Sequence, residues 1–277
     1  MSGLVTLTTD FGLTDEYVGI MKGVILSLAP TTQIVDLSHE IEPQNIAQAA
    51  YLINSSRQYF PDNTIHILVV DPGVGSNRRM ILVGARRQLF LAPDNGVLSL
   101  VFDDNELDFA HAITNEELYL HPVSQTFHGR DILAPVAAHL AKGLAVETVG
   151  PPLDSKELKQ LNLAASISTD GKSIIGRVIQ IDRFGNLITN IHRHDLQKLT
   201  ASSTGSTLTV TVGTSTINNL VAYYAEATPG ELLALFGSRD YLEIAINKGN
   251  AGKYLGINTG KIVELKNDKK VTLHATL

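Results

Sequence analysis

IHILVVDPGVGSNRR, residues 65–79, decides how the rest of the chain is read. Ile65, Ile67, Leu68, Val69 and Val70 make a short apolar, β-rich run, and the helix-hostile Asp71-Pro72-Gly73 follows at once, so a buried strand ending on a carboxylate is expected. The loop through Gly73 and Gly75 then delivers Arg78 and Arg79. In an open α/β sheet, ligands sit beyond the carboxyl ends of the strands, so an Asp there with cations in reach is placed for chemistry. Alone, the same Asp would pass for a turn former; the neighbouring strands weigh against that.

Leu4 to Thr8 alternates as a strand and stops at Thr9-Asp10-Phe11-Gly12. A helix follows, with Tyr17, Ile20, Met21, Val24, Ile25 and Leu28 at helical spacing and Thr14 or Asp15 as its N-cap. Ile34 to Ser38 reads as a strand, Gln44 to Tyr59 as a helix, and Met80 to Ala85 and Leu89 to Ala92 as further strands. Val97 to Phe102 reads as a short helix, and Ile132 to Ala141 as a helix that Asp131 could cap. Strands alternating with helices predict a three-layer α/β domain with a mostly parallel sheet over residues 1–150. Asp10, Asp36 and Asp71 would then share one sheet edge, where a carboxylate commonly takes the hydroxyls of a ribose. Asp36 reads equally well as a turn former and is not counted among the site residues.

The character changes at Val149-Gly150-Pro151-Pro152, and residues 151–165 read as a linker. Beyond it SIIGRVIQIDR, NLITNI, STLTVTVGTSTI, LVAYYAEA, ELLALFG, YLEIAIN and KIVELK are β-type segments, which predicts a smaller antiparallel β-barrel domain over residues 166–277. Ala201 to Ser206 reads as a loop tip.

Of the 277 residues 44% are hydrophobic and 18% charged, a globular composition whose low charge points to subunit contacts. The net charge of −6 offers no footprint for nucleic acid or an anionic membrane, so a small ligand is expected. The absence of cysteine excludes disulfides, thiolate metal sites and a Cys nucleophile. The first residues lack a signal-like pattern and no apolar run is long enough to span a membrane, so a cytoplasmic location is expected.

Among nine histidines, His128 in TFHGRD has the most site-like context, with Gly129 beside it and a helix close behind. His192 and His194 would share a strand face, but further metal ligands are missing nearby and a solvated turn is the better reading. PGVGS has neither the dinucleotide nor the P-loop spacing, and no nucleophile elbow occurs. Asp182-Arg183-Phe184-Gly185-Asn186 sets an aromatic face between a carboxylate and an amide, suited to a flat base or an amino acid, although it is also good turn chemistry. Ser238-Arg239 and Asn247 to Ala251 are two more polar loops able to read an adenine edge.

Together TTDFG, DEYVGIMKGVI, VVDPGVGSNRR, TFHGRDILAP, IDRFGNLITNI and GSRDYLEIAINKGNA resemble the S-adenosyl-L-methionine (SAM) hydroxide adenosyltransferase family, water-using relatives of the SAM-dependent fluorinase and chlorinase. The resemblance covers nearly the whole chain in the family's order. It implies an N-terminal α/β domain, a C-terminal β-barrel domain and a homotrimer with active sites between subunits. The implied reaction is SAM plus water giving adenosine and L-methionine, with SAM as substrate and neither cofactor nor metal. Asp71, Arg78 and His128 match the family's water-activating set, and Arg78 rather than Arg79 has the matching spacing. Asp10 matches the carboxylate on the ribose, with Asp15 and Tyr17 in the adjoining substrate loop. Asp182, Phe184 and Asn186 match the segment that meets the methionine end and the base, Ser238 and Arg239 the methionine carboxylate contacts, and Ala251 or Asn250 the adenine contact, with Asn247 in the same loop. Tyr224 matches a stacking aromatic, with Tyr223 aligning almost as well. Asp71 or His128 would accept the proton of the attacking water. The halogenating relatives have an aromatic residue matching Asp71 and a serine matching Gly129, and a carboxylate at Asp71 would repel a desolvated halide by several kcal/mol. A SAM- or adenosine-binding protein without turnover is the alternative of a different class, but it would leave Asp71, Arg78 and His128 without a task.

Overall fold

The computed structural model describes residues 3–101, 107–200, 207–218 and 220–268. The chain divides into two compact units, Met1–Asn162 and Leu163–Leu277. In the first, β1 (Leu4–Thr9), α1 (Tyr17–Leu28), β2 (Gln33–Ser38), α2 (Ile46–Ser56), β3 (Ile65–Val69), β4 (Met80–Ala85), β5 (Gln88–Pro93), β6 (Leu107–Ala112) and α3 (Ala134–Ala141) follow in order. The sheet runs β2-β1-β3-β5-β4-β6, parallel from β2 to β5 and antiparallel on both sides of β4.

Strand alternation sorts the core into two layers. Val5, Leu7, Ile65, Ile67, Val69, Leu82 and Leu91 meet Met21 and Ile25 of α1 and Val136 and Ala137 of α3 on one face. Leu68, Val70, Ile81, Val83 and Phe90 meet Ala49 and Ile53 of α2 on the other. The register then sets the chemistry. β1 and β3 are parallel neighbours with Thr9 opposite Val69, so Asp10 and Val70 leave the sheet side by side and Asp71 comes next. Asp36 lies opposite Leu7, short of that edge, and its carboxylate is taken by Lys22 Nζ at 2.6 Å. It is a strand residue rather than a turn former, and the shared edge belongs to Asp10 and Asp71 alone.

Several local expectations are corrected. Neither Thr14 nor Asp15 caps α1; Glu16 occupies that position without a side-chain cap bond. α2 starts two residues later than its apolar pattern suggested, capped by Asn45, which accepts from the Gln48 amide at 3.0 Å. Val97 to Val101 forms turns rather than a helix, and Phe102 lies outside the described residues. Residues 151–161 run along the first unit: Pro152 bridges His111, Lys159 N donates to Asp94 Oδ1 at 2.8 Å, and Leu161 N donates to Ser99 Oγ at 2.9 Å.

The second unit contains β7 (Ser166–Ile167), β8 (Ser173–Ile181), β9 (Leu187–His192), α4 (Arg193–Thr200), β10 (Thr207–Val212), β11 (Ser215–Ile217), β12 (Leu232–Phe236), β13 (Tyr241–Ile246), α5 (Ala251–Leu255) and β14 (Ile262–Asp268). The path β11-β10-β14-β8-β9-β13-β12 is antiparallel throughout, and a bridge from Leu220 to Ala234 brings its ends together, so the sheet curls into a nearly closed barrel. The stretch LVAYYAEA is no strand; apart from that bridge it holds a single 3₁₀ turn, Tyr224–Glu226. His192 ends β9 while His194 lies in α4, so they do not share a strand face. The Ala201 to Ser206 stretch lies outside the described residues. Among the described residues no helix is long and apolar enough to cross a membrane.

One core residue predicts pH behaviour. His66 is fully enclosed on β3, stacked on Phe90 at 4.8 Å, with Nδ1 2.7 Å from Thr6 Oγ1. Burial pushes its pKa down to about 4 from an ordinary 6.5. The unfolded chain therefore takes up this proton first as pH falls, and stability present above pH 6.5 is lost progressively toward pH 4. The loss attributable to His66 is about 3 kcal/mol at most. Chemical denaturation at pH 7 and pH 4.5 is expected to show a smaller pH-dependent loss in His66→Gln than in the wild type.

Candidate active site

At the edge where β1 and β3 end, a cleft of about 270 Å³ is lined by Asp10, Gln44, Asp71, Thr126, His128 and Gly129, among others. The turn after β3 closes on itself, with Val74 N donating to Asp71 O at 3.2 Å and Ser76 N to Gly73 O at 3.1 Å. Arg78 is thereby returned to Asp71. Its Nε donates to Oδ1 at 2.7 Å and Oδ2 at 2.8 Å, and its Nη2 also donates to Oδ2. The two side chains are only 8% and 5% exposed, so each charge depends on the other for its solvation. Arg79 turns the other way, onto buried Asp94 at 2.7 Å, and ties the loop to Glu157. Asn95 Nδ2 donates to the Val70 carbonyl at 2.8 Å, fixing the backbone just before Asp71.

His128 arrives from the opposite wall. It precedes a π-helical turn, Gly129–Leu133, that leads into α3. Asp131 does not cap α3. It is fully buried and staples the approach to that turn, accepting from Ser124 N at 2.8 Å and from Arg130 Nε at 2.6 Å. Gly75 brings the two walls together: its φ is 79°, and a Cβ there would lie 2.5 Å from the Gln125 carbonyl oxygen.

Arg78 Nη2 lies 2.9 Å from His128 Nδ1. A guanidinium can only donate, so Nδ1 is the acceptor and the neutral ring carries its hydrogen on Nε2. Burial and the Arg78 charge both hold the His128 pKa below its ordinary value. The cleft thus presents a carboxylate, a guanidinium and a neutral imidazole.

Asp10 accepts from the Gln44 amide at 2.8 Å through Oδ2. Tyr17 does not line the cleft; its ring packs edge-on against Phe127 at 5.3 Å, and Phe127 is one of the lining residues. Asp15 is exposed in the loop before α1 and is not brought to the cleft. A Cβ on Gly129 would lie 3.3 Å from Met21 Sδ and from both Val69 methyls, so the backbone approaches closely there. Gln44, Phe127 and Thr126 were not legible as site residues, because the first two meet Asp10 and Tyr17 only through loop packing and Thr126 has no motif of its own.

The second unit gathers Asp182, Phe184, Asn186, Tyr224, Ser238, Arg239, Asn247 and Asn250 around a separate cavity of about 820 Å³. Asp182 Oδ1 accepts from Phe184 N and Asn186 N, both at 2.9 Å, so the turn reading and the site reading hold together. That closure leaves Phe184 76% exposed. Asn247 donates to the Ala227 carbonyl at 2.7 Å, and Asn250 caps α5 by accepting from Lys253 N at 2.7 Å. Ala251 does not line the cavity; it starts α5 and is buried in the barrel core. Tyr224 lines the cavity and Tyr223 does not. Glu243 and Lys248 also line it; Lys248 belongs to the Asn247 to Ala251 loop already singled out, whereas Glu243 stands outside every expected loop. The available signal for Glu243 was a lone carboxylate inside the apolar strand YLEIAI. Among the described residues no group of three or more His, Cys, Asp or Glu is gathered to hold a metal ion.

The contact between Arg78 and His128 predicts a titration. Followed by NMR, His128 is expected to titrate below 6.5 in the wild type and closer to 6.5 in Arg78→Gln, where the neighbouring positive charge is gone. An unchanged midpoint would count against the Arg78 contact.

Residues 5–150 match the model of the SAM hydroxide adenosyltransferase N-terminal domain, and residues 176–264 that of the C-terminal domain. The chain is 35% identical to a protein of Thermus thermophilus named (R)-S-adenosyl-L-methionine hydrolase, over 94% of this chain and 98% of that protein. It is 34% identical to one of the same name from Methanocaldococcus jannaschii, over 92% of each. A fluorinase of Nocardia brasiliensis is 28% identical over 95% of this chain and 96% of that enzyme. A crystal structure of an uncharacterized conserved protein from Thermotoga maritima superposes with a TM-score of 0.85 at 36% identity, covering 95% of this chain and all of that one.

Proposed function

The chain belongs to the SAM hydroxide adenosyltransferase family, and from that premise we propose that it hydrolyses SAM to adenosine and L-methionine. The observation that carries the reading is the Asp71–Arg78–His128 set, an enclosed ion pair in contact with a half-buried imidazole, at the edge of a cleft that also holds Asp10. The 5′ carbon of SAM is already activated by its sulfonium. Water oxygen bonds to that carbon, the carbon–sulfur electron pair passes to sulfur and cancels its charge, and the water gives up a proton. The catalytic difficulty is holding a weak nucleophile in line, which is a task of positioning.

The hydrogen bonds divide the labour. Arg78 occupies the lone pair of His128, so the neutral ring has one hydrogen, on Nε2, which the Ser124 backbone carbonyl draws on and which an attacking water oxygen would share. Asp71 retains lone pairs beyond those taken by Arg78 and is the proton acceptor. Asp10 takes the ribose hydroxyls. In the second unit, Asp182, Phe184, Asn186, Tyr224, Ser238, Arg239, Asn247 and Asn250 take the base and the methionyl end. A homotrimer that joins the first unit of one subunit to the second unit of the next, acting in the cytoplasm without a cofactor, completes the proposal.

Two observations favour water over halide. Identity to the hydrolases exceeds identity to the fluorinase. Arg78 compensates much of the Asp71 charge, so discrimination does not rest on bare repulsion: a water hydrogen can satisfy the carboxylate, whereas a halide has none to give.

In halide-free buffer made with ¹⁸O-water, SAM is expected to yield adenosine and L-methionine in equal amounts, with one ¹⁸O in the adenosine 5′-hydroxyl. Asp71→Asn should lower kcat by about a hundredfold or more while SAM affinity changes by about threefold or less. Tight SAM binding without adenosine would overturn the hydrolase reading. The names of the hydrolase relatives further suggest the (R) sulfonium epimer as substrate, so an epimer mixture should be consumed to leave the (S) form.

A further inference from the structure

Glu243 has no role in the mechanism above. Its neighbours on β13, Leu242 and Ile244, point into the barrel core, so alternation turns Glu243 to the opposite face. There it lines the second-unit cavity beside Asp182, Tyr224 and Arg239, with only 6% of its surface exposed. A carboxylate enclosed to that degree needs a donor, and Tyr224 supplies one: its hydroxyl donates to Oε2 at 2.8 Å. Gly237 backs the other oxygen so closely that any Cβ there would overlap Oε1, which leaves the carboxylate little freedom to turn away.

The consequence falls on the phenol. Burial raises the Tyr224 pKa, and the hydrogen bond to Glu243 raises it further, so the hydroxyl keeps its proton and spends it on Glu243. What the phenol oxygen can still offer a ligand is a lone pair. Asp182 and Arg239 line the same cavity as Tyr224 and Glu243 and act electrostatically on both. One guanidinium and two carboxylates around an acceptor oxygen complement an α-amino acid head group, which carries an anion and a cation on the same carbon. We infer that Glu243 is a positioning residue that acts through Tyr224, turning the phenol oxygen to accept from the α-ammonium of the methionyl end. This rests on SAM being the substrate.

The test is calorimetric binding of L-methionine and of 4-(methylthio)butanoate, the same chain without the amine, alongside SAM kinetics. The full-length wild type, Glu243→Leu, which has no acceptor for the phenol, Tyr224→Phe and the double variant are compared. The wild type should bind L-methionine more tightly than the amine-free acid. Each single variant should weaken L-methionine binding and raise KM for SAM about tenfold, with kcat within about threefold and the amine-free acid unaffected. The double variant should be no worse than either single one, because both remove the same interaction. Additive losses, equal weakening for the amine-free acid, or no preference for L-methionine in the wild type would overturn the inference. Tyr224→Phe preserves the ring and decides the matter if Glu243→Leu does not fold. Binding of L-methionine needs no turnover, so a wild type that shows these differences without hydrolysing SAM would lose the reaction and keep this inference.

Discussion

One guanidinium shared between a carboxylate and an imidazole organises the first unit. Asp71 and Arg78 are almost fully enclosed, and an isolated charge so placed would cost several kcal/mol in lost hydration. Pairing offsets that cost only if the loop between them folds back, which the turn at Asp71 to Ser76 achieves. The third contact, to His128 Nδ1, is available only because the opposite wall comes close, and Gly75 permits that approach. Disturb any of the three and the remaining groups are left buried with unmet charge or unmet hydrogen bonds.

The supports behind this set are of a different kind. Arg79 on Asp94, Asn95 on the Val70 carbonyl and Asp131 on the Ser124 amide touch no part of the cleft, yet each fixes the backbone beside a residue that does. Rigid support suits a reaction whose barrier lies in placing a water molecule, because small displacements of the donor and acceptor groups weaken in-line attack. The second unit follows the same logic. Asp182 closes its own turn with two backbone hydrogen bonds and so sets Phe184 outward and Asn186 inward, while Glu243 fixes the phenol of Tyr224.

The class of fold was legible in the amino-acid sequence, and so were several residues that come to line the cleft. Period-two apolar runs ending on Asp, Gly and Asn required strands with polar edges, and alternating helices required a layered sheet in the first half. Asp10, Asp71, Arg78 and His128 were legible because strand ends and glycine-rich loops are local features, and the family resemblance gave them a common order. Tertiary structure decided what depends on register and on approach across loops. Asp36 is excluded from the edge by pairing opposite Leu7, Ala251 is drawn into the barrel core, and Asp131 serves the loop before it rather than the helix after it. The hydrogen on His128 is assigned by a donor fifty residues away in the chain, and Glu243 becomes a cavity residue only once a curled sheet sets it beside Tyr224. Local pattern records what a segment can bury, whereas only the folded chain records which buried polar groups must satisfy one another.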